Sequence, residues 1–169
     1  ICLDYLLQHQ EILDALKQAD LAVSCIYEFY DMGRCDETEK ACKHMEAAVK
    51  TGANRVLVVP GFLKGWSSKR MQHRMREASA IGQFMSRNKE IAGMVKGLSF
   101  IAKLGSEKGV TVTVEDFDDP NSPLSGMYGI HWFLQQVPEL MYTLDTGNYL
   151  FYEENVLKAF ELLKDRIAH

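Results

Sequence analysis

Residues 110–115 read Val-Thr-Val-Thr-Val-Glu, and this stretch decides the fold class. Side chains along a strand point alternately to its two faces, so Val110, Val112 and Val114 share one face while Thr111, Thr113 and Glu115 share the other. The valines suit a face covered by helices, and the mixed face suits a lumen or cleft. Immediately upstream, residues 89–108 place Ile91, Met94, Val95, Leu98, Ile101 and Ala102 at helical spacing, with Gly109 as the stop before the strand. Downstream, Asp116 to Pro123 reads as a turn-rich loop. A helix through Met127, Ile130, Phe133, Leu134 and Val137 then ends before Pro138, and a second strand runs Leu140 to Asp145.

The same alternation extends in both directions. Residues 5–18, with Leu6, Ile12, Leu13 and Leu16, predict an amphipathic helix, and Leu21 to Tyr27 a strand. Asp36 opens a helix whose apolar face is Ala41, Met45, Ala48 and Val49 and whose stop is Gly52. Arg55-Val-Leu-Val-Val59 is short, continuous and β-branched, as a parallel strand covered on both faces should be, and Pro60-Gly61 ends it. Residues 62–88 read as a long, partly helical surface excursion. Val156, Leu157, Phe160 and Leu163 predict a last helix, and Ile167-Ala-His169 the start of a further strand.

Strands alternating with helices predict parallel βαβ units, in an open doubly wound sheet or a (β/α)8 TIM barrel. Neither G-x-G-x-x-G nor the phosphate loop G-x-x-x-x-G-K-[ST] occurs, which disfavours an open nucleotide-binding sheet. A barrel takes about 250 residues. The 169 residues here therefore predict one domain, 1–169, forming an incomplete central portion of a barrel, roughly from strand two to the start of strand seven. The opening Ile1-Cys2-Leu3 lacks a Met and reads as the interior of a longer chain.

Composition narrows the function classes. With 47% apolar and 25% charged residues, and no apolar run of roughly 18, disorder and a membrane span are both disfavoured. A net charge of -4 means that nucleic acid would have to be met by a local basic patch. The four cysteines have neither C-x-x-C spacing nor scaffold density, which predicts a reducing, cytoplasmic setting.

In Leu140-Met-Tyr-Thr-Leu-Asp145, parity groups Met141, Thr143 and Asp145, so two successive strands each end in an acid on the mixed face. In a barrel that is the catalytic mouth. Converging carboxylates repel unless a proton or cation lies between them, which points to a divalent metal; the plainer alternative is that Asp145 caps the turn Asp-Thr-Gly-Asn.

Val112-Thr-Val-Glu115-Asp-Phe, then Tyr142-Thr-Leu-Asp145-Thr-Gly-Asn148, then Lys164-Asp-Arg-Ile-Ala-His169 resemble the sugar phosphate isomerase/epimerase family with a xylose isomerase-like TIM barrel. Ala41 to Gly61, the helix with Ala48-Val-Lys-Thr-Gly-Ala-Asn-Arg-Val-Leu-Val-Val-Pro-Gly61, is similar to that family's central helix-strand unit. The resemblance implies a metal-dependent isomerase or epimerase acting on a sugar, sugar phosphate or related polyol, with Mn, Mg, Co or Zn as the ion. Glu115 would be a metal ligand and one of two catalytic glutamates, Asp145 the ligand of the next strand, and His169 a neighbour of the metal-binding His. Asn148 stands where many epimerases carry His; it can hydrogen-bond a sugar hydroxyl but cannot shuttle a proton. A dehydratase therefore stays open, as do an endonuclease-like barrel acting on DNA, a non-catalytic sugar-binding homologue and a homo-oligomeric assembly.

Lys64, Lys69, Arg70, Arg74 and Arg76 form a basic stretch that reads as a solvated helix face, with a phosphate-facing rim as the alternative. Trp66 would stack on a sugar ring or anchor that loop. His9, His44 and His131 read as packing or surface residues, Cys25 and Cys42 as buried, and Phe29 and Tyr30 as rim residues that contact substrate or pack beneath a loop.

Overall fold

A computed structural model describes residues 1–169 apart from His73, Met75 and Tyr152, and describes the backbone alone of Trp66. The expectation for the Trp66 side chain therefore lies outside the described residues.

Four strands, β1 (Ile26–Phe29), β2 (Arg55–Val59), β3 (Thr111–Glu115) and β4 (Met141–Thr143), form one sheet in the order β1-β2-β3-β4. All three pairings are parallel. Sequential parallel neighbours joined by helices are the repeating unit of a barrel wall rather than of a doubly wound sheet. Each edge carries a further parallel bridge, Cys2 to Tyr27 on one side and Tyr142 to Ile167 on the other. The second bridge, with Ala168 N–H donating to Tyr142 O at 2.8 Å, is the additional strand start expected at 167–169.

The helices are α1 (Leu3–Gln8), α2 (Glu11–Gln18), α3 (Thr38–Thr51), α4 (Gly65–Gln72), α5 (Ala78–Arg87), α6 (Lys89–Lys108), α7 (Met127–Gln136), α8 (Thr146–Phe151) and α9 (Val156–Leu163). No helix among the described residues is long and apolar enough to cross a membrane. The core lies between the sheet and these helices: Ile26, Val56, Val58, Val112, Val114 and Tyr142 are buried on the helix side, against Met45, Met94, Leu98, Ile101 and Phe133. Gly105 is required there, since a Cβ would lie 2.6 Å from both Val110 O and Val112 Cγ2. Gly52 and Gly109 close α3 and α6 at φ 74° and 70°, the left-handed conformation that costs glycine least.

Three expectations need correction. The helix predicted over 5–18 is two helices, because His9 leaves helical geometry at φ -129°, ψ 66°. The strand predicted at 21–27 lies at 26–29, while Leu21 is exposed and its N–H closes α2 on Leu16 O at 2.9 Å. Glu28 masked that strand: it is 2% exposed on the helix side, where a lone charge would be costly, and it is held by Lys40 at 3.1 Å and Asp4 N–H at 3.2 Å. The strand predicted at 140–145 is confined to 141–143, because Asp145 turns the chain into α8.

His44 is a packing residue, as expected. It is fully buried, with Nε2 3.0 Å from Ile26 O and Nδ1 2.9 Å from the Tyr30 hydroxyl, and burial lowers its pKa. Tyr30 therefore packs under the rim. Cys25 and Cys42 are only partly covered, against the expectation of full burial, and all four cysteines are free thiols.

Candidate active site at the strand ends

The register places Glu115 beside Thr143, and Thr113 beside Leu57 and Met141. The non-helix face beneath Glu115 carries a hydroxyl ladder, Thr143 Oγ1 to Thr113 Oγ1 at 3.0 Å and Thr113 Oγ1 to Val56 O at 3.2 Å. At the same end, Phe29, Phe62 and Phe117 form an aromatic cluster with ring centroids 5.3–6.5 Å apart. Phe29 thus points to the mouth face, as its position after the strand suggested.

Glu115 is half-buried, and its carboxyl makes no hydrogen bond among the described residues. Burial, followed by the charges of Asp116, Asp145 and Asp118, pushes its carboxyl up to about 7. A carboxyl poised near neutrality can both take up and return a proton.

The residue that organises this end is Asp116, which the sequence reading left in a loop. It is 1% exposed and accepts the Tyr142 hydroxyl and, at 2.9 Å, the Asp145 N–H, both on Oδ1. Tyr142 in turn meets the Tyr149 hydroxyl at 2.9 Å. Burial pushes Asp116 up to about 6, while its hydrogen bonds from Tyr142 and Asp145 oppose the rise. The signal was available: parity puts Asp116 on the helix-facing side with the valines, where Tyr142 of the next strand also points. Tyr142→Phe is expected to lower stability by about 1.5–3 kcal/mol, the cost of removing a hydrogen bond to a buried charge, read as a lower denaturation midpoint at unchanged slope.

Asp145 is exposed, and its Oδ1 accepts Gly147 N–H at 2.8 Å and Asn148 N–H at 3.4 Å. The turn-capping reading of this residue is therefore realised, and its charge also bears on Glu115. Asn148 donates its side-chain amide to Asp116 O at 2.6 Å, tying α8 to the end of β3. His169 is exposed; its carbonyl accepts Leu144 N–H at 2.9 Å, placing it at the β4 edge. His9 is partly exposed at the break between α1 and α2, outside the helix expected there, and His131 is partly exposed on α7.

Glu115 and Asp145, at adjacent strand ends, carry oxygen donors of the hard type that suits a divalent cation. Among the described residues no group of three His, Cys, Asp or Glu is placed to hold one.

The raised carboxyl gives a pH prediction. Glu115 binds its proton more tightly folded than unfolded, so its contribution is fully present below about 4.5 and is lost as pH rises through about 7. The melting temperature of the metal-free protein should fall from pH 5 to pH 8. Glu115→Gln should remove about 1–2 kcal/mol of that fall, allowing for solvent screening of a half-exposed group.

No protein-family model matches the chain, and no curated protein matches it by sequence. Solved structures do. The probable 3-DHS dehydratase AsbF of Bacillus anthracis, involved in petrobactin synthesis, superposes with a TM-score of 0.67 at 17% identity, over 99% of this chain and 58% of that one. D-allulose 3-epimerase of Methylomonas sp. superposes with a TM-score of 0.69 at 15% identity, over 92% of this chain and 53% of that one, and a second structure of it in complex with D-allulose matches equally. The fold is that of the xylose isomerase-like TIM barrel. The chain spans a little over half the length of these barrels, in agreement with the partial barrel expected from the strand count.

Proposed function

We propose that this part of a xylose isomerase-like barrel serves an enzyme that moves a proton at a carbon next to a carbonyl in a sugar, sugar phosphate or related polyol, with Glu115 as the acid/base. The observation that carries the reading is the Glu115 carboxyl, half-buried at the end of β3 and raised to about 7. At that value the group is part carboxylate and part acid at neutral pH, so it can remove a proton and give it back. Asp116 acts from behind: its hydrogen bonds with Tyr142 and the Asp145 backbone fix the two strand ends relative to each other. Phe29, Phe62 and Phe117 form an apolar cluster at the same end of the sheet as Glu115.

Glu115 and Asp145 would hold a divalent ion of the Mn, Mg, Co or Zn type, which when bound would polarise the carbonyl and acidify the adjacent C–H. The names of the matched enzymes include an epimerase and a dehydratase. Proton removal beside a carbonyl can open either reaction, so the reading covers both. It is tested by incubating the protein with polyhydroxy ketones, D-allulose among them, in D2O with each ion. Deuterium should appear at the carbon next to the carbonyl, and no incorporation with any ketone or ion would remove the proposal.

A further inference from the structure

We propose that the cleft between α4 and the α5–α6 junction binds a phosphoryl group, free or carried on a small molecule. A cavity of about 370 Å³ opens there. Its walls carry Arg70 from α4, Arg74 just beyond that helix, Arg87 from the last turn of α5 and Lys89 from the first residue of α6. Among the described residues Glu90 is the one acid lining it, and Arg34 already holds that carboxylate at 2.6 Å. Among the described residues, none of the four lining cations is in an ion pair.

The chain as a whole carries a charge of -4, so four cations lining one cavity make a local patch of the opposite sign. A small, multiply charged anion complements such a patch, and the forked N–H groups of arginine match a tetrahedral oxyanion. The end of α6 is not the source of the attraction, because Asn88 Oδ1 already accepts Glu90 N–H at 2.9 Å and Ile91 N–H at 3.2 Å. Nor is a solvated helix face sufficient, since the cations come from three successive helices and meet in one concavity.

Topology fixes which end of the sheet this is. The segment leaves the C-terminal end of β2, and α6 runs back to Gly109 and the start of β3, so the first residues of α6 lie at the mouth end, as Glu115 does. The inference does not depend on proton transfer at Glu115, because its readout is binding.

Calorimetric titration of the protein with sodium phosphate, at ionic strength fixed with chloride, tests it. Saturable binding is expected, weakened at least about tenfold in Arg70→Gln/Arg87→Gln, the loss expected for charge-assisted hydrogen bonds. If that variant fails to fold by circular dichroism, Arg74→Gln/Lys89→Gln reads the same site. Absence of saturable binding, or equal binding by wild type and a folded variant, overturns the proposal. A hexose monophosphate binding more tightly than phosphate assigns the site to a phosphorylated sugar, and equal affinity assigns it to free phosphate. A free hexose binding as well as its phosphate, in wild type and variant alike, overturns it.

Discussion

Glu115→Gln is expected to cut turnover about a thousandfold while leaving the protein folded and, above pH 7, no less stable. The amide keeps the size and hydrogen-bonding reach of the carboxyl but cannot exchange a proton, so the loss falls on the chemical step; positioned acid/base groups contribute roughly 10²–10⁴ in rate. A residue acting only as a binding contact would instead raise KM at constant kcat. Stability moves the other way because burial, and then the field of Asp116, Asp145 and Asp118, disfavours the Glu115 carboxylate, and a neutral amide escapes both. The measurement is kcat and KM with the substrate identified by deuterium exchange, beside a melting curve. A kcat within tenfold of wild type would take Glu115 out of the mechanism.

Gly129→Ala should be the most damaging single-methyl change. Gly129 is buried in the first turn of α7, and a Cβ there would stand 2.1 Å from the main-chain oxygen of Pro123. A backbone carbonyl cannot rotate away as a flexible side chain can, so α7 or the 116–126 loop must shift. Alanine gains about 1 kcal/mol in helix propensity over glycine, but overpacking a core costs about 1–3 kcal/mol and more when the neighbour is rigid. The clash wins, with an expected net loss of about 2–3 kcal/mol and a melting temperature lower by roughly 4–12 °C for a chain of this size. Gly82→Ala is the matched control: its Cβ would meet Trp132 Cδ1 at 3.8 Å, an ordinary contact, so the propensity gain should appear as a small rise. Equal behaviour of the two variants would show that α7 can move freely. The same loop carries Asp116 and Phe117, so Gly129→Ala should also impair any activity at the mouth.

The sequence by itself determined the parallel strand-helix alternation and the faces of β3. These follow from local periodicities, 2 for strands and 3.6 for helices, which a single chain displays without its partners. Glu115 was legible for the same reason, as the polar end of a strict alternation. Only the tertiary structure decided the place of β1, because Glu28 breaks the apolar pattern and is tolerated through Lys40 and the Asp4 N–H, both on other elements. Only the tertiary structure made Asp116 the keystone of the mouth, since its value depends on Tyr142 and the Asp145 backbone, 26 and 29 residues away. Only it brought Arg87 and Lys89 to the cavity that Arg70 and Arg74 line. Charges and hydrogen-bonding groups acquire their roles from what the fold sets beside them, and sequence spacing carries no record of a partner that lies across a sheet or on another helix.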